Sequence, residues 1–279
     1  MTSAIDALTS HTLKHLRERW WDDAFTTFIV ETLRPRSGHR ILDVGCGEGL
    51  AELSLRRQQI SQLQIVGVDL VPAKLGDARR AVEAHNYEAS FAAADACSLP
   101  FRDGVFDAIF CVAVLQHVVD VEAAVRECVR VTRPGGRVMA VEPDNSARYF
   151  HSSVSSGRAA FDSAHRLFDA IAAHRGSGDG QAGPRLPGLF ARQGVEAVSV
   201  RFFPVAHARL GQRDRSVWQD RRAAVARVMG PTPTDVVRAM AADHLRALEH
   251  YEADARDAGS AFVEIQHTML LATVGARTD

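Results

Sequence analysis

The chain has 279 residues, 46% hydrophobic and 24% charged, enough to bury a core of ordinary globular composition. Lys and Arg number 33 against 34 Asp and Glu, with no basic arm or block of like charge, so no nucleic-acid partner is expected. The opening Met1-Thr-Ser-Ala-Ile-Asp lacks an export pattern, and no stretch approaches the ~20 apolar residues of a membrane span, so the expectation is a cytoplasmic protein without a membrane partner.

In chain order, residues 1–37 read as N-terminal helices, with Leu13, Leu16, Trp20, Phe25, Phe28 and Ile29 at near-helical intervals and a stop at Arg34-Pro35. Residues 38–143 then alternate β-rich apolar runs with amphipathic segments. The runs predict strands at Arg40–Val44, Gln64–Asp69, Ala89–Ala94, Phe106–Val112 and Gly136–Glu142. Between them the pattern predicts helices at Gly49–Gln59, Pro72–Asn86 and Val119–Thr132, the last closed by Arg133-Pro-Gly-Gly136. Such alternation belongs to an α/β fold with a doubly wound, Rossmann-like parallel sheet.

Beyond it, Asp144–His174 reads as mostly helical, and a glycine-rich connector runs from His174 to Pro184. A short helix at Leu186–Gln193 precedes a strand at Val195–Val205. Residues 212–258 hold two or three helices broken at Gly230-Pro-Thr-Pro-Thr234, and Phe262–Val274 is a final strand. The last two strands, 195–205 and 262–274, would complete a seven-stranded sheet in one domain. The helical insertions 144–180 and 211–258 would then form a lid over the substrate site. The four cysteines, Cys46, Cys97, Cys111 and Cys128, have no C-x-x-C spacing and no His at zinc-ligand intervals, so neither a disulfide framework nor a metal is expected.

The motif that carries chemistry is Ile41-Leu-Asp-Val-Gly-Cys-Gly-Glu-Gly49, a buried-strand run leading into three alternate glycines and a helix. Glycine allows the sharp turn and the close approach of a ligand. A dinucleotide site would read G-x-G-x-x-G. Here the spacing is G-x-G-x-G and an acid, Asp43, precedes it, which disfavours a pyrophosphate and suits a ligand bearing an ammonium and a sulfonium.

The segment resembles motif I of the class I S-adenosylmethionine-dependent methyltransferases. That resemblance implies a cofactor loop of Asp43, Gly45, Cys46, Gly47 and Gly49. Val66-Gly-Val-Asp-Leu70 resembles the second-strand segment, in which Asp69 would take both ribose hydroxyls and Leu70 would adjoin it. Ala94-Asp-Ala-Cys-Ser-Leu-Pro-Phe101 resembles the adenine-binding segment, with Asp95 and Ala96 in the contacting positions. Phe106–Val118 resembles the fourth-strand segment, with Val112 beside the transferred methyl group. The implied cofactor is S-adenosyl-L-methionine, and the product S-adenosyl-L-homocysteine.

His117, just after the fourth strand, is a candidate base, with a hydrogen-bonded histidine at a helix start as the alternative. Glu142, ending the fifth strand, is a second catalytic candidate, against a cap or a contact with the insertion. Tyr149 and His151 are candidate substrate contacts, and so are Trp20 and Trp21, with ordinary packing as the alternative for each. The near-neutral charge and the insertions favour a small-molecule acceptor over RNA or protein. A nicotinamide-dependent oxidoreductase and a non-catalytic cofactor-binding regulator are the competing readings. A homodimer is one option. Residues 201–227 carry an excess of arginine that either holds an anionic substrate or pairs with the acidic stretch 235–257.

Overall fold

A computed structural model describes residues 20–175 and 182–278. The order is α1 (Asp23–Leu33), β1 (Arg40–Val44), α2 (Leu50–Arg57), β2 (Gln64–Asp69), α3 (Pro72–Ala84), β3 (Ser90–Ala93), β4 (Phe106–Val112), α4 (Val121–Val131), β5 (Thr132–Ser152), α5 (Ser155–Arg175), α6 (Ala182–Arg192), β6 (Val195–Leu210), α7 (Arg215–Met229), α8 (Asp235–Ala258) and β7 (Val263–Arg277). The earlier part of the expected N-terminal helices, up to residue 19, lies outside the described residues.

The seven strands run β3-β2-β1-β4-β5-β7-β6 across one sheet. β1 pairs in parallel with β2 and β4, β2 with β3, and β4 with β5. The doubly wound α/β sheet expected from the alternation is present. Strand order reverses between β1 and β4, which opens a crevice at their carboxyl ends, where ligands of such sheets bind.

Local sequence explains the elements that flank that crevice. β1 buries four of its five residues, as a strand covered on both faces must. In α4, Asp120 caps the amino end by accepting from the Ala123 N–H at 2.9 Å, and Ala124, Val125, Cys128, Val129 and Val131 turn inward at helical spacing. The expected stop at Arg133-Pro-Gly-Gly136 is realised inside β5 as a register shift between Phe106 and Ala108 of β4. Pro134 has no N–H for the ladder, and a Cβ on Gly136 would collide with Thr132 and with the carbonyls of Arg133 and Asp107.

The chain divides into two compact units. The sheet unit comprises residues 20–146, 182–203 and 269–278 of the described chain, with a core that includes Leu42, Val66, Ile109, Val138 and Phe190. The helical unit comprises 147–175 and 204–268, with Phe150, Leu167, Trp218, Leu248, Tyr251 and Phe262 in its core. α8 turns Val237, Ala241, His244, Leu248, Tyr251 and Ala255 into that core, a stripe stepping by three and four, and Thr234 caps it after two prolines. No helix among the described residues is long and apolar enough to cross a membrane.

The sequence expectation fails at residues 144–152, read above as helical. β5 continues to Ser152 and α5 begins only at Ser155. Phe150 is buried, stacked on Phe161 with ring centres 4.5 Å apart, while Tyr149 and His151 are exposed. That alternation has period two and belongs to a strand. β6 likewise runs to Leu210 rather than Val205.

Candidate functional site

The loop after β1 is built by its glycines. Gly45 has φ +78, and a Cβ there would strike the Val114 side chain, so the loop after β4 closes directly on it. Gly49 has φ +83 and is the residue from which α2 starts. Gly47, at φ +57, differs: a Cβ on it would meet nothing within 4 Å, so the space beside the loop is open there.

Asp69, at the end of β2, holds this loop. Its Oδ2 accepts the Gly47 N–H at 2.9 Å and its Oδ1 accepts the Val71 N–H, also at 2.9 Å. One carboxylate thus ties the glycine loop to the turn that starts α3. Next to it, Leu70 is 53% exposed and presents an apolar side chain beside Asp69. At the end of β3 the Ala94 N–H bonds to the Asp69 carbonyl, and Asp95 is exposed, its Oδ1 accepting the Cys97 N–H at 2.8 Å. The following turn is braced from α4: Glu127 accepts the Leu99 N–H, and Arg130 donates to the carbonyls of Leu99 and Phe101. Asp43, Gly45, Gly47, Gly49, Asp69, Leu70, Asp95, Ala96 and Val112 therefore all lie at the carboxyl ends of β1–β4 or in the loops that follow.

Beneath the loop lie two buried carboxyl groups. Asp43 is held well above the usual carboxylate range by burial, then by Glu52 and Asp69 nearby. Glu52, three residues after Gly49 in the first turn of α2, is fully buried and neither carboxyl oxygen has a hydrogen-bond partner. Burial pushes it up to about 8. A Cβ on Gly67 would collide with the Glu52 carboxyl, the Phe91 ring and Cys46. Cys46 is buried, and burial followed by these carboxyl groups raises its thiol, so it packs in the loop as a neutral group. Sequence reading passes over Glu52 because an acid at the third position of a helix looks like an ordinary amino-terminal residue.

Glu142, the second catalytic candidate, is engaged by backbone amides. Its side chain is fully buried, and it accepts the N–H groups of Val114 at 2.8 Å, Leu115 at 2.7 Å and Gln116 at 3.4 Å. It caps the short turn Leu115–His117 from the neighbouring strand, a capping role reached through tertiary structure rather than along one helix. His117 ends that turn with an exposed side chain. Trp21 packs edge-on against Phe25 with centroids 5.0 Å apart, and both Trp20 and Trp21 are half-buried. Tyr149 and His151 belong to the helical unit, where Tyr149 is tilted against His267 at 5.5 Å.

The arginine-rich stretch 201–227 is engaged with acids. Arg213 and Arg221 pair with Glu264, Arg222 pairs with Glu252, and Arg201 donates to Thr32. Of these, the Arg222–Glu252 pair falls within the acidic stretch 235–257 expected to balance it.

Residues 42–140 match a family model described as a methyltransferase domain. The demethylmenaquinone methyltransferase of Thermus thermophilus is 38% identical over 113 residues, covering 40% of this chain and 51% of that protein. The 27-O-demethylrifamycin SV methyltransferase of Amycolatopsis mediterranei is 32% identical over 137 residues, covering 45% of this chain and 50% of the relative. The chain thus spans about half the length of these curated relatives. Among solved structures, the YcgJ protein of Bacillus subtilis superposes with a TM-score of 0.59 at 19% identity, over 91% of this chain and 98% of that one, a likeness of fold.

Proposed function

Because residues 42–140 match a family model described as a methyltransferase domain, we propose that the chain is a class I methyltransferase that transfers a methyl group from S-adenosyl-L-methionine to a small-molecule acceptor. The observation that carries this reading is the glycine loop at the β1/β4 crevice, open at Gly47 and latched by Asp69. Its residues fit the cofactor chemically. Gly47 leaves room for the ligand against the backbone. Asp69 retains lone pairs beyond the two N–H bonds it accepts, and these suit the adjacent hydroxyls of a ribose. Leu70 offers an apolar face to a base, with Asp95 and the Ala96 N–H as its polar contacts. Asp43 lies where a cation on the loop would favour its ionised form.

The bound cofactor supplies an activated methyl group and a neutral leaving group. What remains for the protein is alignment and exclusion of water. Val112 and the turn after it border the reacting end. Glu142 holds amides of the turn that carries His117, and in this proposal the His117 imidazole takes the proton of an acidic acceptor. Tyr149 and His151, exposed on one face of their strand, carry a phenol and an imidazole suited to acceptor contacts. The small-molecule class is supported by the names of the relatives, which specify a demethylmenaquinone and a demethylated rifamycin as acceptors.

Calorimetric titration with S-adenosylhomocysteine should give one saturable site, weakened by ~1–3 kcal/mol in Asp69→Ala through loss of charged hydrogen bonds. Binding of NADH with none of S-adenosylhomocysteine would transfer the reading to an oxidoreductase. Incubation with methyl-labelled cofactor and metabolite extracts should label a small molecule; a cofactor-binding protein that labels nothing would be a regulator.

A further inference from the structure

A second concentration of charge lies in the sheet unit, away from the glycine loop. Arg137 pairs with Ala108 near the start of β4, five residues before Glu142 on β5. At ~3.3 Å per residue, that places it about 17 Å along the strand from the crevice end. There Glu31, Thr32 and Arg34 at the carboxyl end of α1, Arg137 on β5, and Ser199 and Arg201 on β6 line a cleft of about 450 Å³.

The three guanidinium groups face one carboxylate. Arg201 is fixed: its Nη1 donates to Thr32 Oγ1 at 2.6 Å, it lies over the Phe28 ring at 5.1 Å, and its Nη2 is 3.7 Å from Glu31. Among the described residues, no carboxylate lies within ion-pair distance of Arg34 or Arg137. The Arg137 Nε is buried without a hydrogen-bond partner, and burial, with Arg34 close by, pushes its guanidinium down. Arg34 stands in the left-handed region at φ 53, where a helix end ordinarily carries glycine. The negative pole of α1 attracts a cation at its end and accounts for Arg34. It leaves unexplained Arg137, which sits on the sheet with an unanswered donor.

We propose that this cleft binds a small phosphorylated anion through forked contacts from Arg34, Arg137 and Arg201. Three guanidinium groups match a multiply charged phosphoryl group better than a single carboxylate. The concave lining favours a free anion over the headgroups of a bilayer. The site is independent of methyl transfer and survives if that reading fails.

The test is calorimetric titration of the full chain with inorganic pyrophosphate at low ionic strength. One saturable site is expected, weakened at least ~10-fold in both Arg137→Gln and Arg34→Gln. S-adenosylhomocysteine affinity and the melting temperature report on the fold of each variant. If Arg137→Gln does not fold, Arg34→Gln, at the end of a surface helix, decides. No saturable binding by the parent chain, or full affinity in the folded variants, overturns the proposal. So does capture by phosphatidylcholine vesicles only when they contain phosphatidic acid, without binding of pyrophosphate, because that assigns the arginines to a membrane surface.

Discussion

Glu52 in the sheet unit and Glu264 in the helical unit are both essentially removed from solvent, and they meet burial in opposite ways. Glu264 accepts from Arg221 at 3.0 Å on both oxygens, from the Tyr251 hydroxyl at 2.6 Å, from Gln266 at 2.9 Å, and from Arg213. Burial alone would raise it, but Arg221, Tyr251 and Arg213 outweigh burial and hold it below the usual carboxylate range. In return, burial brings Arg213 down to about 10. Glu52 has no such partners, and burial leaves it near 8. The same side chain is an anchoring anion in one unit and a neutral acid in the other. Partners, not depth, set the sign.

The largest effect should come from breaking the satisfied cluster. Glu264→Ala leaves Arg213 and Arg221 facing each other without a counter-charge, and should destabilise the chain by ~3–5 kcal/mol in chemical denaturation. The wild-type contribution is present above the unfolded value of 4.5 and is lost as pH falls through the lower folded value. An unchanged denaturation midpoint would mean that the cluster contributes nothing and that the contrast with Glu52 is empty.

Glu142 is an intermediate case, buried like the other two and accepting from backbone amides. Glu142→Ala should lose ~1–3 kcal/mol and sharply increase hydrogen exchange at Val114 and Leu115. If those amides stay protected, something else holds the turn that carries His117.

The smallest change runs the other way. Glu52→Met keeps a straight side chain and removes an unpaired polar group, so it should stabilise the chain by ~1–2 kcal/mol at pH 8. Between the unfolded value of 4.5 and the folded value of about 8, the unfolded state binds fewer protons than the native state. Wild-type stability therefore falls as pH rises through that window, and levels off above it. Melting curves should show that this slope is reduced in the variant; equal slopes would mean Glu52 has a partner after all.

These glutamates also mark where sequence reading stops. All three stand in the sequence as ordinary acids: Glu52 in a helix's first turn, Glu142 at a strand end, Glu264 in a β-rich run. What decides Glu264 and Glu142 includes groups far along the chain, 43 residues from Glu264 to Arg221 and 27 from Glu142 to Leu115, and Glu52 is decided by the burial that the fold imposes. Local charge counting likewise finds an arginine excess at 201–227, but cannot see that Arg213 and Arg221 converge on Glu264 from another element. At 144–152, a strand continues through Asp-Asn-Ser-Ala-Arg-Tyr-Phe-His-Ser, which has no β-rich apolar run to announce it, and Phe150 packs into an aromatic core built from distant residues.

What the sequence by itself determined is the order of strands and helices from residue 40 to 142, the glycine loop and the position of Asp69. Those features rest on short-range physics: apolar runs that need cover on both faces, glycines that alone tolerate positive φ, and an acid placed at a strand end. Only the tertiary structure decided that Asp69 latches the loop at Gly47, that Glu142 is a buried cap, and that Glu52 is neutral while Glu264 is charged. Each of those outcomes depends on which distant groups arrive beside a carboxyl once water has left, and neither composition nor spacing records that.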